Sequence, residues 1–258
     1  MDLQIKGLRV LVTAGANGIG RATARAFAAE GAKVHICDVD RAALAEMAQS
    51  DPAMTQSVRD VSDRAAVSRL MDEALAALGG LDCLVNNAGI AGPTGRVDEI
   101  DPADWDSCVA IDLTGQFNCT RLAVQHLKQS QNASIVNLSS QAGKHGFPLR
   151  SPYAAAKWGV IGFTKSLSIE LGPDNIRVNA NLPGLVAGDR QRRVLEAKAQ
   201  QRGVSFVEME KTAFSYTSIK DYVTPEQIAD QILFLCSPRG STISGQAISI
   251  CGDTQMLG

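Results

Sequence analysis

The sequence contains no long apolar run and no excess of charge of either sign. No stretch of roughly 18 apolar residues, the length needed to cross a bilayer, occurs in it. No basic and then apolar leader precedes the first predicted strand. The formal net charge is -2 and the isoelectric point is near 5.9, so the chain has no general attraction for polyanions. We therefore expect a cytoplasmic protein with no membrane and no nucleic-acid partner.

Cysteine pairs and histidine clusters are also missing. The six cysteines form no CxxC pair, and the three histidines do not have the spacing of a zinc site. We interpret the cysteines as reduced, buried small hydrophobes, and we expect no metal site.

What the sequence does contain is an alternation of apolar strands and amphipathic helices. The strands are apolar at nearly every position, which is typical of parallel strands covered by helices on both faces. The composition, 45% hydrophobic and 20% charged residues, is that of a globular protein. Together with the alternation, it predicts one domain, 1–258, with a doubly wound α/β sheet. The predicted strands are 8–13, 34–37, 81–85, 134–138, 176–182 and 247–250, and the longer predicted helices are 63–78, 103–130, 152–171 and 225–236.

One stretch, 184–222, interrupts this alternation. It contains the polar segment GDRQRRVLEAKAQQRG, which predicts a polar helix inserted after a strand. Ligands of open α/β sheets bind beyond the carboxyl ends of the strands, so we expect this stretch to be a substrate lid.

A glycine-rich turn, TAGANGIG (13–20), lies between the first strand and the first helix. Such a turn brings backbone amides close to a nucleotide pyrophosphate, although it also serves simple tight connections. Asp38 ends the second strand, where a carboxylate would bind an adenosine ribose and repel a 2′-phosphate; a helix cap is the alternative role. We predict NAD as cofactor. The turn residues expected to bind it are Gly15, Asn17, Gly18 and Ile19.

The segment YAAAK places Tyr153 and Lys157 four residues apart. Positions four apart share one helix face, and the three alanines between them leave that face open to a ligand. A cation near a phenol favours the phenolate, so the pair is suited to move the proton of an alcohol. A tyrosine and a solvated lysine that never meet are the alternative.

With these motifs, the chain resembles the short-chain dehydrogenase/reductase family over nearly its whole length. The resemblance implies a Rossmann-type sheet of about seven strands, helices on both faces, and a homotetramer built through the two long helices. The motifs that carry it are TAGANGIG at 13–20, Asp60-Val61, NNAG at 86–89, Ser139-Ser140, YAAAK at 153–157, Asn179 and Pro183-Gly184.

The resemblance also implies roles for individual residues. Ser140 would hydrogen-bond the substrate oxygen, Tyr153 would transfer the proton, and Lys157 would assist the tyrosine and bind the nicotinamide ribose. Ser139 is the less suitable serine. The other cofactor contacts that it implies are Asp60, Val61, Asn87, Gly89, Pro183 and Val186.

Three positions depart from the family pattern. Ala14 stands where the first glycine is usual, so we expect a small shift of the turn with binding retained. Asp112 replaces the usual asparagine as fourth catalytic member; its main-chain carbonyl survives the change, and its carboxylate would favour a charged Lys157. Gly188 stands where a threonine is frequent, which predicts a more mobile lid.

The substrate is open at this stage. One of the basic residues near the expected site would meet an anionic or strongly polar group, such as a sugar-acid carboxylate; a solvated basic face is the alternative. These residues are His145, Arg150, Arg190, Arg192 and Arg193.

Three functions follow. The first is an NAD-dependent oxidoreductase of a secondary alcohol or ketone. The second is a 3-oxoacyl carrier-protein reductase, against which Asp38 and the acidic isoelectric point argue. The third, from another class, is a dinucleotide-sensing protein without catalysis, against which the intact Ser140, Tyr153 and Lys157 argue.

Overall fold

The computed structural model describes residues 2–258 and contains a seven-stranded, fully parallel sheet. The strand order is β3-β2-β1-β4-β5-β6-β7, so the chain starts in the middle and winds outward to each edge in turn. The predicted doubly wound sheet is confirmed. Its strands are β1 (Arg9–Thr13), β2 (Lys33–Asp38), β3 (Thr55–Val58), β4 (Cys83–Asn86), β5 (Ser134–Leu138), β6 (Arg177–Pro183) and β7 (Ala247–Ile250).

Helices cover both faces of this sheet, as the apolar strands predict. Val10 and Val12 pack in a cluster under α1, α2 and α9, whereas Leu11 packs in the opposite cluster under α3, α5 and α6. The helices are α1 (Gly18–Ala29), α2 (Arg41–Ser50), α3 (Arg64–Leu78), α4 (Pro102–Val109), α5 (Gly115–Leu127), α6 (Ser151–Leu171), α7 (Asp189–Arg202), α8 (Phe206–Ser215) and α9 (Pro225–Cys236).

The cysteines support these layers as small apolar residues. All six are unpaired, and five are buried, whereas Cys251 is partly exposed. Within residues 2–258, no helix combines the length and the apolar character that crossing a membrane requires.

The long helix predicted over 103–130 is divided in the structure. A π-helical turn, Ala110–Thr114, separates α4 from α5, and α5 ends at Leu127. Gly115 follows the turn and packs tightly, because an added Cβ would lie 2.6 Å from the side chain of Val61. The predicted helical segment is therefore present from Pro102 to Leu127, but the sequence did not predict its π-helical turn, in which Asp112 lies.

The inserted stretch 184–222 contains two helices where the sequence predicted one. The polar α7 is followed by α8, which begins with a capping box between Ser205 and Glu208. Leu195 and Met209 join the two helices through a small apolar cluster of their own. The pair follows β6 and therefore lies at the carboxyl end of the sheet.

Candidate active site

A cleft of about 870 Å³ opens at the carboxyl ends of the strands, and the helices α7 and α8 contribute to its wall. It extends from the glycine-rich turn after β1 to the first turn of α6. Eleven of the predicted site residues line this one space. They are Asn17, Gly18, Ile19, Asp38, Asn87, Gly89, Ser140, Tyr153, Lys157, Pro183 and Val186.

The first turn of α1 presents backbone N–H groups to the cleft. The side chain of Asn17, the residue before the helix, makes no hydrogen bond to these groups, which leaves them available to an anion. Gly18 has a φ of +51°, and a Cβ on Gly20 would lie 2.0 Å from the carbonyl oxygen of Ala14. The turn therefore fits a nucleotide pyrophosphate; a side chain at Gly18 would be strained by the positive φ, and one at Gly20 would clash with the backbone of the turn.

Ala14, the first departure from the family pattern, has a left-handed backbone with a φ of +49°. This conformation is strained for a residue with a Cβ. The side-chain amide of Asn87 donates to the carbonyl oxygens of Thr13 and Ala14, each at 3.0 Å. These two hydrogen bonds tie the turn to the end of β4 and compensate part of the strain.

The carboxylate of Asp38 lies at the end of β2 and lines the cleft. One oxygen accepts a hydrogen bond from the backbone N–H of Ala16 at 3.1 Å, and the other accepts one from the backbone N–H of Asp40 at 3.1 Å. Each oxygen keeps a further lone pair, which fits the hydroxyl groups of a ribose. The helix cap of α2 is Asp40, whose side chain accepts from Ala42 and Ala43. The alternative role for Asp38 as a helix cap is therefore wrong.

Tyr153 and Lys157 lie on the same side of α6, with the lysine Nζ 5.5 Å from the centre of the phenol ring. The ammonium donates to the carbonyl oxygen of Leu138 at 2.9 Å. Lys157 is buried, and this hydrogen bond holds it at the end of β5. Both side chains line the cleft, so a ligand can reach them together.

The two neighbouring serines after β5 have different partners. The hydroxyl of Ser139 donates to the carbonyl oxygen of Lys157 at 2.8 Å and is thereby occupied. The Oγ of Ser140 accepts from the backbone N–H of Ala142 at 3.1 Å and lines the cleft. Within the described chain the Ser140 hydroxyl hydrogen has no acceptor, which leaves it free to donate to a ligand.

Asp112 lies behind Lys157 and is fully buried. One carboxylate oxygen accepts from the backbone N–H of Ile90 at 2.6 Å, and the other is 3.5 Å from the Lys157 ammonium. Its main-chain carbonyl accepts from the side chain of Gln116 at 3.2 Å. The carboxylate therefore compensates the buried charge of Lys157 directly.

Four predicted site residues do not line the cleft: Gly15, Asp60, Val61 and Asp112. Gly15 packs on β2, where a Cβ would lie 2.6 Å from the Cβ of Ile36. Asp60 accepts from the backbone N–H of Ser62 at 2.8 Å, and Val61 is buried. Contact of Gly15, Asp60 and Val61 with a cofactor stays a prediction.

Only some of the basic residues considered for substrate recognition line the cleft. Arg150, Arg190 and Arg193 line the cleft, whereas His145 and Arg192 do not. Arg192 instead pairs with a glutamate of its own helix. Arg190 crosses from α7 to donate to the carbonyl oxygen of Gly89 at 3.0 Å.

Sequence reasoning missed Lys198, which lines the cleft from α7 and is 2% exposed. A signal existed in the sequence. Leu195 and Ala199 mark the inward face of α7, and a residue three positions after Leu195 shares that face. The overall polarity of the helix obscured this pattern.

A parallel sheet with a phosphate-binding turn, an acid after β2 and a tyrosine–lysine pair in one cleft defines a dinucleotide-dependent oxidoreductase of alcohols and ketones. Comparison with known proteins agrees. Residues 13–252 match the family model described as enoyl-(acyl carrier protein) reductase. The chain belongs to the short-chain dehydrogenase/reductase family and acts on CH–OH groups.

Individual relatives cover nearly the whole chain. The chain is 36% identical over 254 residues to 3-oxoacyl-(acyl-carrier-protein) reductase FabG of Thermotoga maritima, with 97% of this chain and 98% of the relative covered. It is 38% identical over 250 residues to cis-4-hydroxycyclohexanecarboxylate dehydrogenase of Sinomonas cyclohexanicum, with 94% of each covered. The structure of NAD+-bound xylitol dehydrogenase superimposes with a TM-score of 0.92 at 27% identity, covering 96% of this chain and 99% of that one.

Proposed function

We propose that this protein is an NAD-dependent dehydrogenase of a secondary alcohol that carries a polar or anionic group, such as a sugar or sugar acid. One observation carries the proposal: Asp38 and the Tyr153–Lys157 pair line the same cleft, at its two functional ends. The names of two relatives, a hydroxycyclohexanecarboxylate dehydrogenase and a xylitol dehydrogenase, support a polar alcohol as substrate.

The choice of NAD over NADP rests on charge at the adenosine end. Asp38 and Asp40 both line the cleft there. Their carboxylates would repel a 2′-phosphate, because both groups are negatively charged. The turn TAGANGIG contains no lysine or arginine to compensate that phosphate. The similarity to an NAD+-bound structure supports the same choice.

Each of these residues of the chain then has a separate role toward the alcohol. Ser140 donates its free hydroxyl hydrogen to the substrate oxygen and fixes its position. Tyr153 takes the alcohol proton, with the Lys157 ammonium 5.5 Å from the centre of its ring. The bound nicotinamide supplies the hydride acceptor. Asp112 holds Lys157 in place through the ion pair at 3.5 Å.

A second candidate is the reduction of a 3-oxoacyl group on an acyl carrier protein. It is favoured by the similarity to a reductase of that class and by the description of the matching family model. Asp38 argues against it, because that chemistry usually runs on NADP.

One assay separates the candidates. NAD and NADP are compared in oxidation of polyols, sugars, sugar acids and hydroxy acids, and NADPH and NADH are compared in reduction of acetoacetyl-acyl carrier protein. Tyr153→Phe serves as the blank, and its rate is expected to fall roughly 100-fold or more. Faster turnover of the carrier-protein substrate with NADPH would reject the proposal. Dinucleotide binding without turnover of any substrate would indicate the non-catalytic sensor.

We also propose that the protein forms a homotetramer. The helices α4, α5 and α6 leave large apolar side chains exposed on the surface of one protomer, and α4 packs beside α6. Such side chains suit burial against a second copy of the chain. They are Trp105, Phe117, Trp158 and Ile169.

A further inference from the structure

Arg150 is a buried cation in the wall of the cleft. It precedes α6, lines the cleft and is 2% exposed. Its Nη2 donates to the carbonyl oxygen of Ala91, whereas Nε and Nη1 are buried and have no hydrogen-bond partner within residues 2–258. The guanidinium carbon lies 5.1 Å from the centre of the Tyr153 ring. A charged group with free donors therefore lies beside the proposed catalytic tyrosine.

This arrangement is unfavourable for the protein alone. A buried charge is ordinarily paired with an opposite charge, yet no Asp or Glu carboxylate of the described chain lies within ion-pair distance of Arg150. Burial lowers the pKa of Arg150; Tyr153 offsets part of this effect, and the neighbouring charge of Arg190 adds to it. An anion from outside the chain would remove this penalty.

Lys198 brings a second buried cation to the same end of the cleft. Its Nζ lies 4.0 Å from the centre of the Phe147 ring, and the Arg150 guanidinium carbon lies 5.3 Å from the same ring. One N–H of Lys198 donates to the main-chain oxygen of Gly258, the last residue of the sequence. The other two have no hydrogen-bond acceptor in the described part of the chain.

We propose that Arg150 and Lys198 form a subsite for a carboxylate, so that the substrate is a hydroxy acid. This inference rests on the proposed function and names its substrate class. The two carboxylate oxygens match the donors that these side chains leave free. Because Arg150 lies beside Tyr153, the carboxylate and the reacting hydroxyl belong to one small molecule.

The reaction leaves the carboxylate unchanged. The carbinol carbon loses a hydride, with its two electrons, to NAD, and the hydroxyl loses its proton to Tyr153. The product is a keto acid, and the anion stays bound to Arg150 throughout. The subsite therefore positions the substrate and takes no part in the bond changes.

The first test measures binding without turnover. Cyclohexanecarboxylate, the neutral cyclohexanecarboxamide and inorganic phosphate are titrated by calorimetry into the enzyme saturated with NAD. We expect the carboxylate to bind roughly tenfold to a hundredfold more tightly than the amide, as charge-assisted hydrogen bonds predict, and more tightly than phosphate. Arg150→Met should remove the difference, and Lys198→Met should reduce it. Equal affinity, no binding of either organic probe, or tighter binding of phosphate would overturn the subsite.

Matched variants guard against misfolding. Arg192→Met removes an exposed arginine of the same region that does not line the cleft, and it should bind the probes like the wild type. Arg150→Lys keeps the charge and should retain part of the preference. NAD affinity is measured for every variant, and the preference must be lost in Arg150→Met with NAD binding intact; a preference that survives in that variant contradicts the proposal.

The second test separates this inference from the proposed function. cis-4-Hydroxycyclohexanecarboxylate and its amide, and 3-hydroxybutyrate and its amide, are compared as substrates with NAD. A kcat/KM at least about tenfold higher for an acid than for its amide supports the subsite. Equal oxidation of acid and amide rejects the subsite and leaves the dehydrogenase proposal standing. Carboxylate binding that depends on Arg150, with no alcohol oxidised, rejects the dehydrogenase proposal instead.

The pH dependence gives a third readout. Burial lowers the pKa of Lys198 to about 7, and the facing charges of Arg202 and Arg150 contribute to this shift. Only the protonated amine attracts a carboxylate. The ratio of acid to amide affinity should therefore fall as the pH rises through about 7, and this fall should be absent in Lys198→Met. A ratio that is independent of pH in the wild type would exclude Lys198 from the subsite.

Discussion

At the scale of single residues, the proposed preference for NAD over NADP rests on one carboxylate. Asp38 lines the cleft with two backbone N–H groups on its oxygens, and its charge opposes a 2′-phosphate. We expect Asp38→Ser to raise the ratio of kcat/KM with NADP to that with NAD roughly tenfold or more, because a repulsion of one charge on another is removed. Initial rates with both cofactors measure the ratio.

The control for this change is Asp98→Ser. Asp98 pairs with Arg96 in an exposed position and does not line the cleft. Asp98→Ser changes the net charge of the protein by the same amount as Asp38→Ser. If both variants changed the NADP-to-NAD ratio of kcat/KM equally, the effect would come from the net charge, and Asp38 would have no specific role.

A second residue-scale prediction concerns His35, a buried histidine of β2. Its ring bonds the hydroxyls of Thr55 and Ser57 at 2.8 and 2.9 Å, and burial lowers its pKa to about 4. The unfolded chain, with a pKa near 6.5, binds the proton first as the pH falls. The free energy of unfolding should therefore decrease between pH 6.5 and 4, by roughly 3 kcal/mol from this group.

Urea unfolding of the wild type and of His35→Gln at several pH values tests this. The amide keeps hydrogen-bonding capacity without titrating, so the variant should lose less stability than the wild type over the same interval. His126→Gln, at a partly exposed position of α5, is the matched control. Parallel curves for the wild type and His35→Gln would contradict the prediction.

At the scale of structural elements, the glycine-rich turn contains a measurable strain at Ala14. A left-handed backbone costs a residue with a Cβ about 1–2 kcal/mol, whereas glycine adds about 0.4–1 kcal/mol of entropy cost on folding. We therefore expect Ala14→Gly to raise the free energy of unfolding by about 0.5–1 kcal/mol, with NAD binding retained. Denaturant unfolding and NAD titration measure both.

Ala16→Gly in the same turn is the matched control. Ala16 is buried without a positive φ, so glycine there should lower the stability. If both variants were destabilised equally, the left-handed conformation of Ala14 would not carry the strain assigned to it.

The helices and strands could be predicted because their signals are local. The six predicted strands are apolar at most positions, and helix starts are marked by capping residues. Asp101 accepts from Ala103 at 2.8 Å before α4, and Thr224 forms a capping box with Gln227 before α9. The edge strand β3, TQSV, lacks the apolar signal and was not predicted. The π-helical turn could not be predicted, because no local residue pattern marks it; Gly115, which follows it, is in tight contact with Val61, more than 50 positions away.

At the scale of the whole molecule, the prediction concerns the number of chains in the oligomer. Trp158 and Ile169 on α6 are 52% and 79% exposed in one protomer. We expect light scattering after size exclusion to give four times the chain mass, and Ile169→Glu to shift it towards smaller species, because a charge would be buried at the interface.

Val207→Glu is the control for this shift. Val207 is 69% exposed on α8, away from the proposed interface helices, and its change should leave the mass unaltered. A monomeric wild type, or an Ile169→Glu variant of unchanged mass, would exclude an interface on α6.

The sequence by itself determined the class of this protein. The alternation of apolar strands and helices, the glycine-rich turn, Asp38 and the YAAAK segment are local patterns that physical chemistry ties to a parallel sheet and to dinucleotide chemistry. Eleven of the predicted site residues line one cleft for this reason, because the carboxyl ends of parallel strands meet at one edge.

Tertiary structure alone decided which cations line the cleft. Arg150 and Lys198 are 48 positions apart in the sequence, and neither differs in type from the solvated basic residues around it. Only packing shows that both are buried at the same cleft, whereas Arg192 is exposed and paired with Glu196. A buried charge has lost its water and is stabilised by an opposite charge, and only the folded chain determines which charges are buried.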